Sequence, residues 1–325
     1  MAQDNLLRNF PTLMTTLQSV PQGLPDLHLA VISSDMGAGD GSVAGCDSSG
    51  GKHGIFQYTP RGTCTATGLA PGATYISHDG SVRNYTGNLE DAFTCIAALG
   101  ETGCGFEHQL AALSRALSAD DSPPPTENQG FLRRDAYLFV VLLTNEDDCS
   151  APSGSPLFDT KANTLLASVL GPPANFRCNE FGHLCNGAKP PRLAPNGSVN
   201  DTVTLDGCVP AEGNGLLTPV ASFVAQLRSL KPFPDQQIVV AAIGGPPVPY
   251  SINWRAPYSN DTGPWPMMEP SCTTSDGAIA DPAVRVSAWA QSFGANGLLL
   301  PICVDSYAAS FDRIAQLMNT AGGTP

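Results

Sequence analysis

The chain has 325 residues, a formal net charge of −13 at pH 7, and 42% hydrophobic but only 14% charged residues. An acidic surface excludes a phosphate-backbone partner, so no nucleic acid is expected. The length admits one large or two ordinary domains and a core that does not rely on disulfides alone. The longest apolar runs, in AYLFVVLL and GLLLPICV, fall far short of the roughly 20 residues of a membrane span.

MAQDNLLRNFPTLMTTLQ opens the chain with Leu6, Phe10, Leu13, Met14 and Leu17 on one helical face. No charged start followed by an apolar run precedes it, so export requires a signal outside this sequence. GLPD ends that helix, and LHLAVISS (27–34) reads as a buried strand. A Gly-rich stretch follows to about Arg83, then two helical patterns, LEDAFTCIAALG and FEHQLAALSRAL. Beyond the Pro-rich loop DDSPPPTENQG comes DAYLFVVLLT (135–144), the strongest strand signal in the chain. Residues 145–213 are rich in Pro, Gly and Asn, and they lead into the helix TPVASFVAQLRSL and the buried strand QQIVVAAI (236–243). GGPPVPYSINWRAPYSNDTGPWP reads as loop, AVRVSAWAQSF as helix, LLLPICV (298–304) as strand and FDRIAQLM as the last helix.

Apolar strands alternating with amphipathic helices predict an α/β fold: a doubly wound, mostly parallel sheet with helices on both faces. We read residues 1–325 as one domain with loop insertions at about 35–86, 145–213 and 244–282. Those insertions leave the C-terminal ends of their strands, where open α/β sheets place their ligand crevice. The ten cysteines contain no CxxC pair, which favours structural disulfides in an oxidising compartment over a zinc or redox site. The expected pairs are Cys46–Cys64, Cys95–Cys104 and Cys272–Cys303, with Cys149, Cys178, Cys185 and Cys208 pairing among themselves.

The stretch LLTNEDDCS (142–150) runs an apolar strand directly into Asn145, Glu146, Asp147 and Asp148. Carboxylates crowded at a strand end repel one another unless they are solvated or bound to a cation. A strand ending in a hydroxyl and an acidic turn, together with LHLAVISSDMGAG, GCGFEHQLAAL and NFRCNEFGHLC, resembles the von Willebrand factor A-type domain. Within that family it is similar to a cysteine-rich subgroup of secreted or lipid-anchored bacterial proteins. The resemblance implies a metal-ion-dependent adhesion site holding Mg²⁺ or Ca²⁺. Carried onto this chain, its metal positions fall on Glu107 and Asn145, with Asp147 or Asp148 compensating for the uncharged Asn145. The family's DxSxS motif and the strand before it are absent, so the chain reads as N-terminally truncated, with cation binding weak or lost. The family's central strand would lie between LHLAVIS and AYLFVVLL, and without it both would lose a shared ladder partner.

Other stretches carry two readings each. Asp35 and Asp40 in DMGAGDG form either an oxygen-rich cation loop or a simple turn. Cys178, His183, Cys185 and Cys208 are either zinc ligands or disulfide residues beside a histidine. His78–Asp79 reads as a surface turn. Tyr250, Trp254, Tyr258 and Trp265 are either a recognition patch or the core of their own loop. GxSxG, HExxH, GxxxxGK[ST] and GxGxxG are all missing, and no catalytic residue is assigned. The expected function is an extracytoplasmic, adhesion-type module binding a protein or cell-surface ligand. The alternatives are a secreted metal-dependent hydrolase using Asp147, Asp148, Glu107 and His108, and a structural envelope protein.

Overall fold

The computed structural model describes residues 2–18, 26–38, 43, 46, 51–159, 165–172, 176–213, 216–257, 261 and 263–322. Its frame, in chain order, is helix α1 (Ala2–Gln18), strand β1 (Leu27–Leu29), helices α2 (Leu89–Ala97) and α3 (Gln109–Ala116), strand β2 (Leu138–Leu143), helix α4 (Val220–Ser229), strand β3 (Ile238–Gly244), helix α5 (Val284–Gln291), strand β4 (Gly297–Pro301) and helix α6 (Ala308–Gly322).

Strands β2, β3 and β4 form a parallel sheet with β3 in the centre, in register from Leu138 opposite Ile238 to Pro301 opposite Gly244. Every residue of β3 is buried, because helices cover both faces and successive side chains alternate between them. Ala241 and Ile243 join one core with Phe10, Leu13 and Met14 of α1, with α2, and with Phe311 and Ile314 of α6. Phe10 stacks on Phe93 of α2 at 3.8 Å between ring centroids. Ile238, Val240 and Ala242 join the opposite core, with Leu110 and Leu113 of α3, Phe223 of α4 and Trp289 of α5. Strand β4 must start with glycine: a Cβ on Gly297 would lie 1.9 Å from the carbonyl oxygen of Ala290 in α5.

The mixed α/β class and the predicted strands at 135–144, 236–243 and 298–304 are present, whereas a full doubly wound sheet is not formed among the described residues. LHLAVISS departs from expectation. Only Leu27–Leu29 is strand, and it pairs antiparallel with Ile76–Asp79 in a separate small sheet. Its residues are half-buried, unlike those of β3.

The stretch read as loop from 244 to 266 also departs from expectation. Tyr250–Arg255 is a strand between Trp265–Met268 and Thr202–Leu205. Tyr250, Ile252 and Trp254 alternate inward, a period-2 signal that the surrounding Pro and Gly residues hide. Trp265 is buried with them, so these aromatics form the core of their own unit; Tyr258 and Asp40 lie outside the described residues.

Five disulfides staple the loops: Cys46–Cys104, Cys64–Cys95, Cys149–Cys178, Cys185–Cys208 and Cys272–Cys303. The predicted Cys272–Cys303 link is present, and the four central cysteines pair among themselves. Cys46–Cys64 and Cys95–Cys104 are corrected to a nested pairing, with Cys46–Cys104 enclosing Cys64–Cys95. The amide of Arg61 donates to the Cys95 carbonyl at 3.0 Å, drawing the Cys64 loop onto the end of α2. Cys104 is then left beside Phe106 in the core that holds Cys46. Cys178, Cys185 and Cys208 are thus consumed as disulfides, not zinc ligands. Five disulfides fit an oxidising, extracytoplasmic compartment. No described helix is long and apolar enough to cross a membrane.

Candidate functional site

The acidic turn leaves β2 at the C-terminal edge of the parallel sheet. Thr144 extends the ladder, its amide donating to Ile243 at 3.1 Å. The Thr144 hydroxyl then closes the turn, donating to the Glu146 carbonyl at 2.8 Å and accepting from Gln109 Nε2 at 2.7 Å. The side chains that follow split into two groups with different partners.

Asp147 and Asp148 point inward and tie helices together. Asp147 accepts from the backbone amides of Arg285 and Val286 at 2.9–3.0 Å, capping α5, whose own N-cap residue, Ala283, offers no side-chain bond. It also accepts from His183 Nε2 at 2.8 Å, and His183 Nδ1 meets the Tyr250 hydroxyl at 2.9 Å. A carboxylate only accepts, which assigns the Nε2 proton to the histidine. Burial, then the charge of Asp147, raises the Tyr250 phenol. Asp148 is fully buried. Its oxygens accept from Leu110 N at the start of α3 (3.0 Å), from the Ser150 hydroxyl (2.6 Å) and from Arg285 Nη2 (3.0 Å). Both aspartates are therefore bonded on both oxygens by protein donors.

Glu107, Glu146 and Asp281 form the second group. The loop carrying Glu107 is held between the segments that follow β1 and β2: His108 N donates to the Ser34 carbonyl at 3.1 Å and Cys149 N donates to the Glu107 carbonyl at 2.7 Å. The Ser34 hydroxyl donates to the Glu107 carboxylate. Asp281 is placed by its amide, which donates to the Asn145 carbonyl at 2.8 Å. Burial foremost, then the neighbouring charges of Glu107 and Asp281, pushes Glu146 up to about 8. Burial also raises Glu107, against its Ser34 bond and with the charge of Asp35. Asp281 rises to about 6, from burial and then Asp147. Beside them Gln109 keeps a buried Oε1 without a hydrogen-bond partner, as does His108 Nε2. Burial holds the His108 imidazole below its ordinary value.

Of the four predicted metal positions, Glu107 faces this acidic edge, Asn145 has an exposed side chain there, and Asp147 and Asp148 serve the interior network. Glu146 and Asp281 join Glu107 instead. Glu146 was visible as part of NEDD, but DPAVR marks Asp281 only as a residue preceding a helix. Carboxylates and an orphaned amide oxygen fit a hard cation in kind. Among the described residues, however, no three His, Cys, Asp or Glu side chains are gathered into a ready-made metal shell.

Fold and edge together define a disulfide-stapled α/β protein with a half-buried acidic rim on its parallel sheet. No protein-family model, curated protein or solved structure matches the chain.

Proposed function

We propose that this protein is an extracytoplasmic binding module that engages a protein or cell-surface ligand across the acidic rim, in the manner of the von Willebrand A-type domains it resembles. The observation that carries this reading is the meeting of Glu107, Glu146 and Asp281 at the C-terminal sheet edge, each held above its ordinary value by burial and by neighbouring negative charge. Such a rim favours a proton or a divalent cation over bare carboxylates. Glu107 and Glu146 would hold Mg²⁺ or Ca²⁺, with Gln109 Oε1 supplying a neutral oxygen. The bound cation would offer a ligand carboxylate an attachment point. Binding is weak, because the ligands are not preassembled and a proton competes for Glu146.

The hydrolase alternative has less support, since Asp147 and Asp148 already have their oxygens engaged by His183, Arg285 and backbone amides. Titration calorimetry with Mg²⁺, Mn²⁺ and Ca²⁺ at pH 8 tests the reading. Submillimolar to millimolar binding that disappears in Glu107→Gln/Glu146→Gln is expected. No heat with any of the three ions, or binding unchanged in that variant, refutes the cation site.

A further inference from the structure

One of the five disulfides is built differently from the rest. The short strand His183–Cys185 pairs antiparallel with Cys208–Pro210, and Cys185 lies directly opposite Cys208. Among the described residues no other disulfide joins opposite residues of paired strands. Cys185 turns its own backbone away from Cys208: its amide donates to the Ala188 carbonyl at 2.7 Å and its carbonyl accepts from Ala188 N at 3.1 Å. The two cysteines therefore occupy a non-hydrogen-bonded position of the ladder, where facing side chains come closest. Backbone bonds flank that position. Asn186 N donates to the Gly207 carbonyl at 3.3 Å, and Ala211 N donates to the Gly182 carbonyl at 2.7 Å. The strand pair has a register of its own without the sulfur link.

The two sulfurs have different surroundings. Cys208 is half-buried, and its neighbours Asp206, Gly207 and Val209 are exposed. Cys185 is buried and faces inward with His183, two residues earlier on the same strand. Its Sγ lies 3.6 Å from the Tyr250 hydroxyl, which also meets His183 Nδ1 at 2.9 Å. The Nε2 proton of His183 is committed to Asp147, so Nδ1 is an acceptor and Tyr250 donates its proton there. Only lone pairs of the Tyr250 oxygen are then left for Cys185. A disulfide sulfur has no proton to offer them, whereas a Cys185 thiol has one. The interior at this buried sulfur is matched to the reduced form.

We propose that Cys185–Cys208 is a thiol-exchange site. The thiolate of a low-molecular-weight thiol attacks Sγ of Cys208, the more accessible of the two residues. A sulfur–sulfur bond forms between the attacking sulfur and Cys208 as the Cys208–Cys185 bond breaks, and the electron pair leaves on Cys185. Cys185 takes up the proton that the attacking thiol released, and its S–H donates to the Tyr250 oxygen. The incoming thiol is the reductant: its sulfur is oxidised and Cys185 is reduced. The product carries a mixed disulfide on Cys208, a thiol on Cys185 and an intact strand pair. The site does not rest on the acidic rim.

The test treats the full chain with graded glutathione, traps free thiols with N-ethylmaleimide and maps the peptides by mass. Glutathione on Cys208 and maleimide on Cys185 are expected. They should appear about tenfold or more faster than any adduct at the buried pairs Cys46–Cys104 and Cys149–Cys178, with circular dichroism unchanged. Tyr250→Phe removes the acceptor and should lower the exchange equilibrium several-fold at this pair, leaving Cys272–Cys303 unmoved. A second variant reads the same contact directly. Cys208→Ala leaves Cys185 as the single free thiol, and its infrared S–H band should be shifted down by the bond to Tyr250. Glutathione found on Cys185, exchange no faster than at the buried pairs, or an equilibrium unchanged in folded Tyr250→Phe overturns the proposal. So does a Cys208→Ala chain that fails to fold or shows its S–H band at the unbonded position.

Discussion

Two carboxylates two residues apart in one turn should respond to neutralisation with opposite signs. Asp148→Asn keeps the shape but removes the charge facing Arg285, whose Nη2 lies 3.0 Å away with both residues fully buried. Stripping one member from a buried pair leaves the other uncompensated, at a cost of about 3–5 kcal/mol. The new amide also presents donors where Leu110 N and the Ser150 hydroxyl already donate. Glu146→Gln should instead stabilise above neutral pH. The folded carboxyl titrates at about 8 against an ordinary 4.5, so the native state binds more protons across that interval. Its contribution is complete below about pH 4.5 and is lost as pH rises toward about 8, with a limiting slope of about 1.4 kcal/mol per pH unit. From pH 5 to pH 8 the variant should therefore gain on the order of 2–4 kcal/mol over wild type. Urea unfolding followed by circular dichroism at both pH values measures each effect. A loss under about 1 kcal/mol for Asp148→Asn would refute its structural role. A Glu146→Gln difference that is flat or reversed in pH would refute the account of the rim.

The remaining expectations concern the staples and the interior. Replacing Cys64 and Cys95 by Ala removes a link of sequence separation 31 and should cost about 3–4 kcal/mol by loop-closure entropy, measurable in the same unfolding assay. Peptide mapping without reduction should recover Cys46 with Cys104, and a Cys46–Cys64 fragment would refute the nested pairing. Arg177→Met should destabilise by about 3 kcal/mol or more, because the buried guanidinium donates to the carbonyls of Leu157, Asp159, Gly171 and Pro172 and their partners would be lost. A melt within a few degrees of wild type would argue against that role.

The two principal sheet strands were legible as unbroken apolar runs, LFVVLL and IVVAAI, although only the second is buried on both faces. The helices were legible through their 3.6-residue spacing, down to Phe10, Leu13 and Met14. The strand at Tyr250–Arg255 was not, since a short period-2 signal inside a Pro-rich stretch has no length to stand out. LHLAVISS looked like β3 in composition, but composition does not specify which edge a strand joins, and Leu27–Leu29 pairs with Ile76–Asp79 instead.

The candidate site divides along the same line. The local sequence NEDD showed that acidic side chains crowd a strand end, a fact of covalent order that needs no fold. It could not say which of them turn inward. Asp147 and Asp148 do so because α5 and α3 bring backbone amides and Arg285 to them from more than 30 residues away along the chain. Glu107, Glu146 and Asp281 become neighbours only when the turns before α3, after β2 and before α5 converge. Composition and periodicity determined an acidic, cysteine-stapled chain of mixed α/β class. Partners distant in sequence decided that Asp147 and Asp148 turn inward to hold the helices, because the amides of α3 and α5 and the Arg285 guanidinium reach them only in the folded chain.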